Sequence, residues 1–526
     1  MRVINLLPCL RSAADLQQHI DRNATTEKQT SKEVELQDST SSRERGGIWL
    51  QIIAAISGEF DYRAPRHDNK YLVRAASFAV MACGGYLGWT SPALPHLLST
   101  RSSFPVTVQQ ASWIASLYTL GGIFGSLLSP LMVDRLGRKL SLLAFAMPQL
   151  AGWGLIIGAH SYPVLYVARL VAGISHGGIY NVAVIYLAEI ADKDIRGAFG
   201  TMLKMCTNLG GLFVTSLGAY LTYDQLNVAS LSLPVIFVAT FVFMPESPYF
   251  YLIQHREEEA VRSLMRLRRV SNAGDVIKDV AIMREAVLAG QRSGRSALRE
   301  LVSDRGNRRG LWILLSLKVT QQLSGHMAIV AYTQEIFGHS ESALKPQYAV
   351  IVLGVAQLAA GLAAAGLIDR LGRRVLVLFS GVSAALALAL VGLFFFLKYS
   401  LRADVSTVTW LPVAALVLYE IMVALGIGTI PYVILGEIFP TNVKGPAVAS
   451  GIIIGSVFAF VVGLGFHALN QAAGIHTTFW FFSGCCAAGT TWVYMITPET
   501  KGKTLEEIQV LFNPNKKKDV ESNAAL

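Results

Sequence analysis

Two almost identical basic turns divide the hydrophobic part of this chain into matching halves. Residues 134–139 read D-R-L-G-R-K and follow one long apolar segment, while residues 369–374 read D-R-L-G-R-R and follow another. Each turn is short, basic and contains a glycine, so it suits a tight connection between two helices. Two copies at corresponding places indicate an internal repeat rather than two coincidental basic loops. The chain is therefore predicted to consist of two similar halves.

The composition indicates a protein that crosses the membrane many times. Of the 526 residues, 52% are hydrophobic and only 15% are charged, whereas soluble domains average about 25% charged residues. The net charge of +10 comes from connectors between apolar segments, so we expect no nucleic-acid partner. The five cysteines show no metal-ligand spacing and no disulfide framework. We expect no metal and no cofactor.

A spanning helix needs about 20 apolar residues, and twelve segments meet that length. They lie near residues 73–97, 110–133, 140–160, 163–187, 197–222, 227–244, 310–337, 347–368, 373–397, 410–435, 446–468 and 475–497. The predicted organisation is an N-terminal disordered tail 1–70, a six-helix half 71–249, linker helices 250–309, a second six-helix half 310–498 and a tail 499–526. The fold class is therefore an all-α membrane protein.

Lysine and arginine alternate between rich and poor loops. The loops after spans 2, 4, 8 and 10, the central linker and the C-terminal tail are rich in them, and the intervening loops are poor. By the positive-inside rule both termini are predicted to be cytoplasmic. Within the linker, Ala260, Leu264 and Leu267 recur at helical spacing beside arginines, which predicts amphipathic helices on the cytoplasmic surface.

Several further motifs resemble those of the sugar-porter branch of the major facilitator superfamily over residues 75–510. They are R-L-V-A-G at 169–173, Y-L-A-E at 186–189, P-E-S-P at 245–248, Q-Q-L-S-G at 321–325 and P-E-T-K-G at 498–502. The stretch W-T-S-P-A-L-P at 89–95 resembles the insect facilitated trehalose transporter-like group. The resemblance implies a twelve-helix transporter that works by alternating access as a monomer in the lipid bilayer, with the plasma membrane as its expected location.

The resemblance also implies a cytoplasmic gate built from inter-helix ion pairs at one shared depth. The charged candidates are Asp134, Arg138, Arg169, Glu189, Arg196, Glu246, Asp369, Arg373, Glu437 and Lys444. A carboxylate at the C-terminal end of a helix opposes the helix dipole, so the two aspartates need nearby cations. Static anchoring at the membrane interface is the alternative interpretation of these charges.

Polar side chains inside spans are costly and mark function, and they define a candidate substrate site. The candidates are Gln321, Gln322, Gln357, Tyr332, Tyr432 and Lys204. Amides suit sugar hydroxyls, and an aromatic face can stack on a sugar ring. Several positions depart from the family pattern, including Lys204 in place of a glutamine, Met327 in place of an asparagine and 455–456 (G-S) in place of Asn-Trp. Because of these changes, the sequence does not identify the substrate.

The function predicted is passive transport of a sugar, either a hexose or a disaccharide such as trehalose. No enzyme is expected, because the chain lacks G-x-S-x-G, H-E-x-x-H and P-loop motifs. Span 1 contains no acid that could couple transport to protons, which leaves Glu420 as the expected intramembrane acid and His326 as its companion. Two alternatives stay open: a sugar sensor that does not transport, and a carrier of another polyol or an anionic substrate, the latter motivated by Lys204.

Overall fold

The apolar segments are helical, as expected for backbone that must satisfy its own hydrogen bonds in lipid. The computed structural model describes residues 70–190, 196–268, 270–292, 297–439, 441–499, 501 and 508, which belong to one unit, Arg66–Leu526. Almost all of the predicted N-terminal tail and most of the tail 499–526 lie outside the described residues.

The helices follow the predicted order of two halves and a linker. The first half contains α1 (Lys70–Leu98), α2 (Val108–Ile157), α3 (Tyr162–Ile190), α4 (Arg196–Gly218) and α5 (Tyr223–Phe241). The linker contains α6 (Pro248–Ile253), α7 (Glu257–Arg268), α8 (Gly274–Arg292) and α9 (Ala297–Ser303). The second half contains α10 (Arg305–Leu323), α11 (His326–Ser340), α12 (Pro346–Leu371), α13 (Arg373–Phe395), α14 (Leu411–Leu425), α15 (Ile430–Ile438), α16 (Thr441–Ala473) and α17 (Ile475–Ile496).

Each of the twelve predicted spans is helical, although not every span is a single separate helix. Helix α2 carries spans 2 and 3 and turns at Gly137, whose φ of 85° is open to glycine but strained for other residues. Span 7 is broken between α10 and α11, and span 10 between α14 and α15. Seven of the described helical stretches are by themselves long and apolar enough to cross a membrane.

Close packing within the first half depends on small residues at a helix crossing. A Cβ on Gly121 or Gly125 of α2 would lie about 2 Å from backbone oxygens of α3, and a Cβ on Gly173 or Gly177 of α3 would meet α2 in the same way. Both helices therefore present a glycine every fourth residue at their contact, the small-xxx-small pattern that lets membrane helices approach closely.

The two halves contact each other mainly along α1 with α11, α2 with α16 and α4 with α12, and also where α15 meets α4 and α16 meets α3. We call the end of the bundle that carries the turns at Arg138 and Arg373 the basic end. At the basic end a Cβ on Gly445 would lie 3.6 Å from Ile185 Cδ1. At the opposite end the rings of Tyr220 and Tyr348 are 6.1 Å apart. The halves thus touch at both ends.

The linker forms amphipathic helices, which confirms that part of the sequence prediction. Ala260, Leu264 and Leu267 of α7 are buried. Ala260 and Leu264 pack in a small cluster with Val276 and Val280 of α8. The arginines between them stay on the outer face, as the helical spacing requires.

Candidate functional site

The predicted glutamines lie at the break in span 7. Gln321 and Gln322 are the third- and second-last residues of α10, with exposed fractions of 3% and 8%. Gly325 follows with a φ of 83°, and a Cβ there would lie 2.3 Å from the ring of Phe482. Gln322 Oε1 has no hydrogen-bond partner among the described residues. The break therefore leaves a buried amide oxygen available to a ligand.

Residues from both halves meet beside these glutamines. Lys318 Nζ lies 3.5 Å from Gln321 Oε1 and 4.2 Å from the ring centroid of Tyr432. The rings of Tyr432 and Tyr180 are 6.2 Å apart, and the Tyr180 hydroxyl lies 3.2 Å from Thr207 Oγ1. Because α3 and α4 supply Tyr180 and Thr207 while α10 and α15 supply the others, the cluster spans the interface between the halves.

Lys204 and Tyr432, both predicted site residues, are partly buried and lie on α4 and α15, two helices that pack against each other. Lys318 lies beside them, although the sequence did not place it in the predicted site. Its position three residues before Gln321 puts the two side chains on one face of α10. This spacing could have identified Lys318 as a site residue from the sequence, whereas no sequence pattern pointed to Tyr180.

Gln357 has a partner within the protein. Its Nε2 donates to Glu420 Oε2 at 2.7 Å, and His326 Nδ1 lies 3.3 Å from Glu420 Oε1. The carboxylate of Glu420 is thus held by two side chains from two other helices. The sequence predicted Glu420 as the intramembrane acid, but α11 carries a second one, the half-buried Glu335. Its Oε2 lies 3.6 Å from His467 Nε2.

Tyr332 has no surface left for a ligand in this conformation. Its exposed fraction is 1%, its ring is stacked on Phe466 with centroids 5.0 Å apart, and its hydroxyl donates to the carbonyl of Gly463 at 3.3 Å. A buried tyrosine needs such a partner for its hydroxyl. The structure therefore gives Tyr332 a packing position at the interface between α11 and α16.

Arg169 is not part of the charged cluster at the basic end, and the sequence prediction of a shared depth was wrong. Its Nε donates to the carbonyl of Ile114 at 2.9 Å and its Nη1 to that of Tyr86 at 2.8 Å. The guanidinium also lies 4.7 Å from the ring centroid of Tyr118. Glu189 is twenty residues further along the same helix, or about 30 Å at 1.5 Å per residue. Arg169 instead braces three helices near the opposite end.

The first basic turn is held by two glutamates. Arg138 Nη2 lies 2.6 Å from Glu189 Oε1. Glu246 accepts backbone N–H bonds from Arg138 at 2.9 Å and from Lys139 at 3.0 Å. The Ser247 hydroxyl donates to the other oxygen of Glu189 at 2.5 Å. The turn, the end of α3 and the loop after α5 are thereby joined.

The second turn repeats this arrangement. Arg373 Nη2 lies 2.5 Å from Glu437 Oε1. Glu499 accepts backbone N–H bonds from Arg373 and Arg374, each at 3.1 Å. Because both partners of each of these two ion pairs belong to the same half, the pairs brace each half internally and do not cross between the halves.

Four further residues were predicted to belong to the gate. Asp134 is exposed and makes no ion pair with another described residue. Lys444 lies at the start of α16, at the basic end. The side chains of Arg196 and Asp369 lie outside the described part of the structure.

The two turn-binding glutamates differ in their pKa. Burial raises the pKa of Glu246 above its ordinary value, even though backbone N–H groups of Ser247, Lys139 and Arg138 oppose this. Burial acts in the same direction on Glu499, but it is less buried, and N–H groups of Arg373, Lys501 and Arg374 bring its pKa below the ordinary value. The physical cause is the balance between desolvation and hydrogen bonds to the charged form.

The sequence of the chain is similar to those of known transporters. Residues 27–512 match the model of the family described as Sugar (and other) transporter. The chain is 33% identical over 464 residues to a facilitated trehalose transporter Tret1 from Aedes aegypti, covering 88% of this chain and 55% of that protein. It is 34% identical to the Tret1 of Polypedilum vanderplanki, covering 88% of each chain. The chain spans only about half the length of several of these relatives.

The fold is also similar to that of a solved transporter. The structure of the proton:xylose symporter XylE bound to 6-bromo-6-deoxy-D-glucose matches with a TM-score of 0.68 at 19% identity, covering 85% of this chain and all of that one. With most of the chain matched by the family model, the resemblance seen in the motifs is confirmed. The chain belongs to the Sugar (and other) transporter family and has the fold of the major facilitator superfamily.

Proposed function

We propose that the protein carries a sugar or related polyol across the membrane by alternating access between its two halves. The observation that carries this proposal is the pair of buried amides, Gln321 and Gln322, at a helix break between the halves, one of them with an unpaired oxygen. Transporters of this kind bind substrate near the midplane at the repeat interface, often where helices are discontinuous. The Tret1 relatives suggest trehalose as one candidate sugar.

We further propose that transport is passive. Helix α1 contains no aspartate or glutamate. The buried Arg169 is satisfied by two backbone carbonyls and aromatic rings, so the geometry requires no carboxylate beside it. A proton symporter needs an acid that titrates in step with substrate. The test is accumulation against a gradient: a pH difference across proteoliposomes should not raise the internal sugar above the external level.

The expected setting is the plasma membrane, with both termini in the cytoplasm and a single chain as the working unit. The lysines and arginines at the basic end support this orientation. Large apolar side chains such as Leu131, Phe243 and Trp312 are exposed, as expected for surface that faces lipid. Selective labelling of an added N-terminal tag from one side of intact cells checks the orientation.

The site is tested by radiolabelled sugar uptake into proteoliposomes. Gln321→Ala or Gln322→Ala should weaken apparent affinity by roughly 5- to 150-fold, because substrate hydroxyls would lose partners worth ~1–3 kcal/mol each. Gln109→Ala is the matched control, since Gln109 is exposed at the start of α2. Unchanged affinity in both variants would reject this site. Sugar binding without uptake by the wild type would instead indicate a sensor.

A further inference from the structure

Two lysines from opposite halves approach one tyrosine in the centre of the bundle. Lys318 of α10 places Nζ 4.2 Å from the ring centroid of Tyr432. Lys204 of α4 lies three residues before Thr207, so it shares the helix face from which Thr207 contacts Tyr180, the neighbour of Tyr432. Lys318 has an exposed fraction of 8%, so its ammonium is largely removed from water. Holding two cations this close in a buried place is costly unless something compensates them.

The protein supplies only part of that compensation. Glu420 is the carboxylate whose charge reaches Lys204. Its two oxygens already face His326 and Gln357. Neither lysine has an ion-pair partner within 4 Å among the described residues. Two ammonium groups against one carboxylate leave an excess of one positive charge.

The surroundings of the lysines include unused polar atoms. Lys318 also runs beside Gly455, where an added Cβ would make an ordinary contact of 3.7 Å with Lys318 Cδ. Gln322 Oε1 and His176 Nδ1 are buried without a hydrogen-bond partner among the described residues. Charge from both lysines reaches His176. Unpaired polar groups and an uncompensated charge thus converge on one site.

We propose that the sugar carried by this protein bears a single negative charge, as a hexuronic acid does, and that its carboxylate is held between Lys204 and Lys318. The glutamines at the break of span 7 would receive its hydroxyls. One negative charge matches the excess of one positive charge, which favours a carboxylate over the doubly charged phosphate of a sugar phosphate. This inference rests on the proposed function and specifies the substrate class of the same site.

The position of the two lysines also predicts how a bound anion affects the conformation of the protein. Lys204 lies on the first half and Lys318 on the second. An anion between them is bound best when the halves approach, so it favours the closed conformation over conformations in which the lysines separate. An empty site would keep two repelling cations. Substrate binding would therefore promote closure of the halves.

The test compares galacturonate, glucose 6-phosphate, glucose and trehalose in proteoliposomes of the wild-type chain. A tenfold potassium gradient with valinomycin, positive inside, should concentrate galacturonate inside by about tenfold, because a singly charged anion follows the membrane potential. Glucose and trehalose should show no dependence on the potential, and glucose 6-phosphate should compete weakly. This arm needs no mutant and is independent of folding defects.

Variants then assign the charge to residues. Lys204→Gln and Lys318→Gln should each lower the ratio of galacturonate uptake to glucose uptake by at least about tenfold, the scale of a lost hydrogen bond to a charged group. Lys345→Gln, an exposed lysine before α12, is the matched control. If glucose or trehalose enters while galacturonate neither enters nor competes, the inference is wrong and the proposed function stands. If none of the four enters despite intact folding, both are overturned.

Discussion

The two basic turns share a sequence and a geometry but differ in how deeply they are covered. Gly137 and Gly372 have φ values of 85° and 83°. In each turn an arginine pairs with a glutamate of the same half, and a second glutamate accepts backbone N–H bonds from the residues after the glycine. The repeated residues thus produce a repeated structure.

The difference comes from the segments that lie after spans 6 and 12. After span 6 the linker helices cover the turn: Phe250 of α6 lies under the Arg138 guanidinium at 5.7 Å, and the Ser263 hydroxyl of α7 donates to the carbonyl of Glu246. After span 12 Glu499 remains partly exposed, and Lys501 donates to the carbonyl of Arg370 from an exposed position. Two almost identical motifs can therefore differ in stability because different segments cover them.

The largest expected difference is in stability when the turn-binding glutamate is removed. Glu246→Ala leaves three N–H donors unsatisfied in a buried place, at ~1–3 kcal/mol for each. We expect a loss of about 3 kcal/mol or more for Glu246→Ala and about 1 kcal/mol for Glu499→Ala, because water can reach the second turn. Thermal unfolding in detergent measures both. Glu258→Ala, in an exposed helical pair, is the control, and equal losses at the two turns would contradict the comparison.

A smaller effect is expected on the balance between conformations. Arg138→Ala and Arg373→Ala each remove a partly buried ion pair, and Asp134→Asn removes a charge from the first turn. Weakened bracing at the basic end should favour conformations open at that end by ~1–3 kcal/mol, the usual scale of coupling energies. Accessibility of single cysteines to reagents added from each side measures the shift. Unchanged labelling in all three folded variants would show that these charges only anchor the helices and do not affect the conformational balance.

The smallest effect concerns pH, where the two glutamates should act with opposite sign. The pKa of Glu246 is raised, so its contribution to stability is greatest below the ordinary value of 4.5 and is lost as pH rises through its folded pKa. The pKa of Glu499 is lowered, so its contribution is present above 4.5 and is lost as pH falls through its folded pKa.

The measurement is the midpoint of thermal unfolding between pH 4 and 7. As the pH falls, the unfolding midpoint of the wild type should rise relative to that of Glu246→Gln. Over the same change it should fall relative to that of Glu499→Gln. Parallel pH dependences in the two variants would show that covering does not distinguish the turns.

Much of this architecture can be predicted from the sequence because membrane constraints act locally. Apolar length fixes the spans, and the repeated turns fix the correspondence of the halves. Gln321 and Gln322 were predicted inside a span and are buried at its break. The close approach of the Phe482 ring to Gly325, by contrast, involves a distant helix, which no local pattern shows.

The errors arise where depth or helix rotation matters. Arg169 opens a span on the side opposite Glu189, so grouping the two by their shared family motifs gave the wrong depth. Tyr332 resembled a ligand by residue type, but packing against Phe466 decides its position. The approach of Lys204 and Lys318 to one tyrosine requires the relative rotation of helices from two halves, which the sequence does not specify.

The central claim, alternating access between the two halves, is tested most directly by cross-linking each end separately. Tyr220→Cys with Tyr348→Cys joins the halves at the end opposite the basic turns, and Ile185→Cys with Gly445→Cys joins them at the basic end. Each pair is treated with a short reducible thiol cross-linker in a background where the five native cysteines are replaced by serine. Variants that carry only one of the two introduced cysteines serve as controls. We predict that either cross-link stops sugar uptake and that reduction of the cross-link restores it. Uptake at the wild-type rate by a variant that is fully cross-linked at one end would contradict alternating access.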